Sequence, residues 1–201
     1  MLFGVQWYYW IVLIISIILL IFAWSKVLKS SKARRERLKK EAEIWKRDYE
    51  LREKFTVLTD DKIKETEEID LLHGVAMNIQ VMLEAETDMA AKFDALPEEK
   101  KFIYALEYFD EDAKKSLSAF FKNNGKPLVP VIPAALNAIG CEKYIPIITP
   151  LMEMYDPDSD ASIDNTIIAK ADEEFSSTYN SDELCRLSAR FIIKNKDIFL
   201  N

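Results

Sequence analysis

Glycine is scarce in this 201-residue chain: there are only four, and the single histidine stands at position 73. With no Gly-x-Gly-x-x-Gly and no Gly-Lys-Ser/Thr run, the backbone N–H cradles that hold nucleotide phosphates are excluded. The two cysteines, Cys141 and Cys185, form no Cys-x-x-Cys pair and are expected to be small buried apolar side chains. Low Gly, seven prolines and 11% aromatics exclude collagen-like, disulfide-stapled and disordered classes. Strict apolar/polar alternation bounded by hairpin turns is missing after residue 56, which removes the signal for exposed strands. No serine or cysteine nucleophile stands at a recognisable spacing from His73, which is read as a half-buried structural residue. Neither an enzymatic activity nor a cofactor is expected.

Charge is missing from residues 1–24 altogether. The mean hydropathy of −0.10 therefore averages three unlike pieces. From Trp7 to Trp24 the chain reads WYYWIVLIISIILLIFAW. As a helix these eighteen residues span about 27 Å, close to the ~30 Å hydrocarbon core of a bilayer. Trp7 and Trp10 at one end and Trp24 at the other suit the headgroup boundary. A signal peptide needs a basic start and a small-residue cleavage site, and MLFGVQ and Phe22-Ala23-Trp24 supply neither. The expectation is a retained transmembrane anchor, residues 1–25, in contact with the lipid bilayer through residues 7–24. No Lys or Arg precedes it, whereas Lys26, Lys29, Lys32, Arg34, Arg35, Arg37, Lys39 and Lys40 follow with only Glu36 among them. The positive-inside rule then places the N-terminus outside and the remainder in the cytoplasm, with the cations against anionic headgroups.

Residues 26–55 carry a net charge of +6, and residues 56–201 a net charge of −13. Between 25 and 58 there is no Gly or Pro, and Lys, Arg, Glu and Leu dominate, so a basic helical stalk over 26–58 is predicted. Leu38, Ala42, Trp45 and Tyr49 form one apolar stripe and Leu51, Phe55 and Leu58 a second, too few heptads for a sustained coiled coil.

The acidic remainder, 59–201, reads as an all-α domain, a compact bundle of six or seven short helices. Ile69, Leu72, Val75, Ala76, Ile79 and Leu83 keep a 3.6-residue rhythm through about 61–93. Leu96-Pro97-Glu98-Glu99 opens the next helix, which carries Phe102, Ala105, Leu106 and Phe109. Asp112 is expected to begin another, with Leu117, Phe120 and Phe121 buried and Asn123-Asn124-Gly125 as a left-handed stop. Pro130 and Pro133 fit the first turns of a helix ending at Gly140, and Pro146 and Pro150 predict a kink or an interruption. Asp164 and Ser181 are the expected caps of the last two helices, ending near Tyr179 and Lys194.

One segment approaches a metal site. In Asp156-Pro157-Asp158-Ser159-Asp160-Ala161-Ser162-Ile163-Asp164, the four aspartates copy half of an EF-hand loop. Ala161 stands where Gly makes the sharp turn and Ile167 where the bidentate Glu belongs, so no metal is expected there beyond a weak cation site at Asp156, Asp158, Asp160 and Asp164.

Two motifs carry a resemblance. Leu117-Ser118-Ala119-Phe120-Phe121-Lys122-Asn123 and Ala135-Leu136-Asn137-Ala138-Ile139-Gly140-Cys141, followed by Asp172-Glu173-Glu174-Phe175 and Arg190–Asn195, form the pattern. It resembles a bacterial domain-of-unknown-function family that includes a neisserial DNA-mimic protein, over about residues 70–200. The matching motif residues are Leu117, Phe120, Phe121, Asn123, Ala135, Leu136, Ile139 and Gly140. Lys114, Lys115 and Ser116 replace the family's Asn-Gly-Gly, and Ala119 its Gln. The resemblance implies an all-α domain in a bacterium and an acidic surface able to occupy a nucleic-acid-binding protein. The functional expectation is a membrane-tethered, non-catalytic module that binds an unidentified cytoplasmic protein, itself making no direct contact with nucleic acid. The alternative is an acidic decoy that sequesters a nucleic-acid-binding protein at the inner membrane.

Overall fold

A computed structural model of the chain describes residue 16 and residues 34–154 and 165–200. Every regular element among the described residues is helical. Trp7, Trp10, Trp24, Lys26 and Lys29 of the expected anchor lie outside them, as do Asp156, Asp158, Asp160 and Asp164. Among the described residues no helix is long and apolar enough to cross a membrane. Residues 34–55 are helical (α1), and the chain divides into two units at residue 50.

In the first unit, Leu38, Trp45 and Tyr49 of the first stripe are exposed, and ion pairs run Arg37–Glu41 and Lys46–Glu50 along the helix. Each is a surface contact that contributes a few tenths of a kcal/mol (~0.3–0.5).

The second unit begins at Leu51. The second stripe of the stalk belongs to its core: Leu51, Phe55 and Leu58 are all buried. Then come α2 (Asp60–Glu65), α3 (Glu68–Glu84), α4 (Met89–Asp94), α5 (Glu98–Ala113), α6 (Leu117–Asn123) and α7 (Gly125–Leu128). They are followed by α8 (Ile132–Ile139), α9 (Ile145–Met154), α10 (Asn165–Thr178), α11 (Ser181–Lys194) and α12 (Lys196–Phe199). Single 3₁₀ turns at Val129–Val131 and Glu142–Tyr144 precede α8 and α9. The helices are shorter and more numerous than the six or seven expected.

Local chemistry explains the breaks. The single helix expected over 61–93 is three, because Thr66 turns extended (ψ 137°) and its hydroxyl donates to the Lys62 carbonyl, 2.6 Å away. A second break falls before Asp88, whose carboxylate caps α4 at Ala91 N (3.0 Å). Ile69, expected in the core, is exposed, while Leu71 takes its place. Pro97 is the residue before α5 rather than inside its first turn.

Asp112 does not begin a helix. It closes α5, and Ser116 caps α6 by accepting from Ala119 N at 3.1 Å. Asn124 ends α6 at φ −123° and Gly125 opens α7, so no left-handed stop forms there. Gly140 does supply one, at φ 77°, directly after α8, and Pro133 sits in the first turn of that helix. Pro146 lies in the first turn of α9, and Pro150 is carried within it without an interruption. Asn180, not Ser181, caps α11, accepting from Glu183 N at 3.1 Å. Asp164, the expected cap of α10, lies outside the described residues.

Helix α5 is central and packs against α3, α6, α8 and α11. Its Phe109 is wholly buried and meets Phe120, Phe175 and Tyr179 edge-on, at centroid distances of 5.3, 5.6 and 6.3 Å. Edge-to-face pairs of this kind set the positive rim of one ring against the negative face of the next. Phe120 and Phe121 are both buried, as expected. Gly74 lets α3 approach the end of α1: a Cβ there would lie 2.4 Å from the Phe55 ring. Close by, the buried Asn78 amide donates to the carbonyls of Phe55 (2.8 Å) and Thr56 (3.2 Å), satisfying the helix end.

Candidate interaction cleft

The turn between α5 and α6 contains Lys114, Lys115 and Ser116, the positions where the resembling family has Asn-Gly-Gly. Its shape depends on Asp112. That carboxylate accepts from Lys115 Nζ (2.9 Å), Asn123 Nδ2 (3.1 Å) and Asn124 Nδ2 (2.6 Å), so one side chain ties the turn before α6 and the C-terminal end of α6 to the end of α5. Partial burial pushes the Asp112 carboxyl up, but the hydrogen bonds from Lys115, Asn123 and Asn124 and the Lys115 charge outweigh this and hold it below its ordinary value.

Helix α10 brings the second motif segment to the same place. Asp172 accepts from Ser118 N (2.9 Å) and Ser118 Oγ (2.8 Å), an added carboxylate at the positive end of α6. Tyr179 donates its hydroxyl to Asp110, which also pairs with Lys114. Burial first, then the neighbouring Asp110 charge, drives the Tyr179 phenol far above its ordinary range, so it remains a donor. Between the turn and α10 lies an open cleft of about 380 Å³, lined in part by Lys114, Lys115, Ser116, Asp172, Glu173 and Tyr179.

Two carboxylates, Asp172 and Glu173, and two lysines, Lys114 and Lys115, line the cleft. Both lysines are already paired, Lys114 with Asp110 and Lys115 with Asp112. Glu111, Glu173 and Glu174 are exposed.

Of the motif residues, Leu117 lines the cleft, while Phe120, Phe121, Ala135, Leu136 and Ile139 are buried in the core. Asn123 is exposed and Gly140 supplies backbone geometry. A second cavity of about 400 Å³ lies at Asn123 and Asn124, bounded by Gln80, Phe93, Tyr104 and Tyr108. The Gln80 carbonyl accepts from both tyrosine hydroxyls, Tyr108 at 3.0 Å, and burial pushes both phenols upward.

The remaining candidates are placed as follows. Cys141 and Cys185 are free and buried, and burial with nearby carboxylates (Glu183 and Asp110 respectively) pushes each thiol up to about 11. Neither is a thiolate nucleophile at neutral pH. His73 is half-buried on α3 as expected, and its Nδ1 meets the Glu107 carboxylate of α5. Glu111 completes a group in which one ligand atom from each residue lies within 4.8 Å of the others. Sequence spacing did not reveal this group: His73 and Glu107 are 34 residues apart and meet only because α3 packs on α5. The Ser118–Asp172 tie, across 54 residues, is equally hidden from sequence, although Asp172–Phe175 belongs to the resembling pattern.

The DMP19-like protein family matches residues 94–199, just over half of the chain. The chain belongs to the DMP19-like protein family. The match starts at the end of α4 and runs through α12, so the DMP19-like region includes both walls of the cleft and the whole aromatic cluster around Phe109. Helices α2 and α3, which complete the core, precede it. No curated protein and no solved structure matches the chain.

Proposed function

We propose that this DMP19-like protein is a non-catalytic protein-interaction module, tethered to the bacterial inner membrane through residues 7–24, whose acidic surface engages a basic cytoplasmic protein in the manner of a DNA mimic. The observation that carries this reading is the match to the DMP19-like family in a chain whose residues 56–201 carry a net charge of −13, with both lysines of the cleft internally paired. Glu173, which lines the cleft, and the adjacent Glu174 of α10 leave their charge in solvent. A protein that normally grips phosphates would be steered by such a surface and held with a strong salt dependence. Beside an anionic membrane the same charge keeps the domain off the lipid and open to partners. The tether rests on the apolar run and on the eight cations that follow it.

The test uses a photo-crosslinking side chain at Ser176, on the rim of the cleft, in living bacteria. The expected product is a covalent adduct with a basic nucleic-acid-binding protein, lost when Glu173 and Glu174 are both changed to Lys. An adduct with an envelope protein would keep the module and discard the mimicry. An adduct indifferent to the charge reversal would discard the cleft. Protease added to spheroplasts should leave the domain intact, and digestion from outside would reverse the topology.

A further inference from the structure

We infer that His73, Glu107 and Glu111 form a zinc site on the α3–α5 face. The donor set is mixed, one imidazole and two carboxylates, which suits Zn²⁺ better than the all-oxygen shells of Ca²⁺ and Mg²⁺. The three side chains are placed by regular helix rather than by a loop. Glu107 and Glu111 are one turn apart on α5, and His73 lies within α3. Residues four apart on a helix share a face, so both carboxylates point toward the same neighbour. Across from them, His73 Nδ1 already touches Glu107 Oε1.

The reach is right. Ligand atoms on a tetrahedral zinc stand roughly 3.4 Å apart, given bond lengths near 2.0–2.2 Å. Those of His73, Glu107 and Glu111 are all within 4.8 Å of one another. A bound water would fill the fourth position.

Charge in the surroundings favours a cation. The Glu107 side chain is only 11% exposed and stands beside a second carboxylate. The nearest lysines are held elsewhere, Lys115 on Asp112 at 2.9 Å and Lys114 on Asp110. The two carboxylates therefore stand side by side at the His73 ring and repel each other. A divalent ion relieves that repulsion and ties α3 to α5, two of the main layers of the core.

This site does not depend on the proposed partner. Its test is a calorimetric titration of the full-length chain, in mild detergent and stripped of metal, with Zn²⁺ alone. One equivalent should bind, and the wild-type melting temperature should rise with added Zn²⁺. His73→Gln and Glu111→Gln should each weaken binding by at least about 10–100-fold, since even second-shell losses cost that much. Metal-free Glu111→Gln should melt within about 2 °C of wild type, because Glu111 is exposed and Gln keeps its size, which separates ligand loss from misfolding. The inference is overturned if the wild type takes up no Zn²⁺, or if both variants bind as the wild type does. It is also overturned if Asp158→Asn with Asp160→Asn abolishes binding, or if Ca²⁺ or Mg²⁺ binds more tightly than Zn²⁺.

Discussion

Replacing Phe120 with Ala removes a ring that is 1% exposed and sits between two others, Phe109 at 5.3 Å and Phe121 at 5.9 Å, both edge-on. Truncating a buried Phe costs about 3–5 kcal/mol when the cavity cannot collapse. Collapse is hard here. The far side of Phe109 is filled by Phe175 and Tyr179, and α6 is fixed at both ends through Asp112 and Asp172. Two edge-to-face contacts at about 0.5–1.5 kcal/mol each disappear with the ring, placing the loss in the upper part of that range, about 4–5 kcal/mol. For a chain of this size that corresponds to a fall of roughly 8–20 °C in melting temperature. Against a total stability of about 5–15 kcal/mol, that is a large share of what holds the fold. The assay is thermal unfolding of the full-length chain followed by far-ultraviolet circular dichroism, with Phe120→Leu as the companion. Leu keeps most of the volume and should lose far less. If Phe120→Ala melts within about 2 °C of wild type, the ring is not part of the core and the packing argument fails.

Three further outcomes follow from the same geometry. Gly74→Ala drives a methyl group into the buried Phe55 ring at 2.4 Å, so overpacking should cost about 1–3 kcal/mol, measured as a lower urea midpoint. Asp172→Ala removes the two Ser118 hydrogen bonds and should cost about 1–3 kcal/mol at an unchanged denaturant slope; no loss would mean that α10 does not hold α6. The Asp112 carboxyl is held below its ordinary value of 3.8, so its contribution is fully present above that pH and lost as pH falls through the lower, folded value. The stability gap between wild type and Asp112→Asn should therefore be constant near neutrality and close only in strong acid. A gap that closes above pH 3.8 would assign the wrong sign to that shift.

Local signals in the sequence were reliable, and partners across the fold were not. The apolar rhythm of α3, the Leu-Pro-Glu-Glu entry to α5 and the stop at Gly140 are each set by residues within a few positions of one another. The same rhythm, read alone, ran α2, α3 and α4 together, because the break rests on Thr66 and Asp88, whose side chains compete with the helix for backbone groups. Asp112 is the clearest lesson. An acid before an apolar run reads as a cap, yet its partners are Lys115, Asn123 and Asn124, and Ser116 does the capping. His73 looked solitary for the same reason, since Glu107 and Glu111 reach it only through the packing of α5 on α3. The cleft was half legible: its motifs stood out, but the tie between Ser118 and Asp172 exists only in three dimensions.

The central claim, an acidic surface that takes the place of DNA, is tested most directly by competition. Once the protein crosslinked at Ser176 is identified, its complex with the full-length chain is challenged with duplex DNA carrying that protein's own binding site. The account predicts release of the partner by the DNA, weaker binding as salt rises, and loss of binding in the Glu173→Lys, Glu174→Lys variant. A ternary complex in which DNA and this chain are held together would contradict it, because the two would then occupy different surfaces.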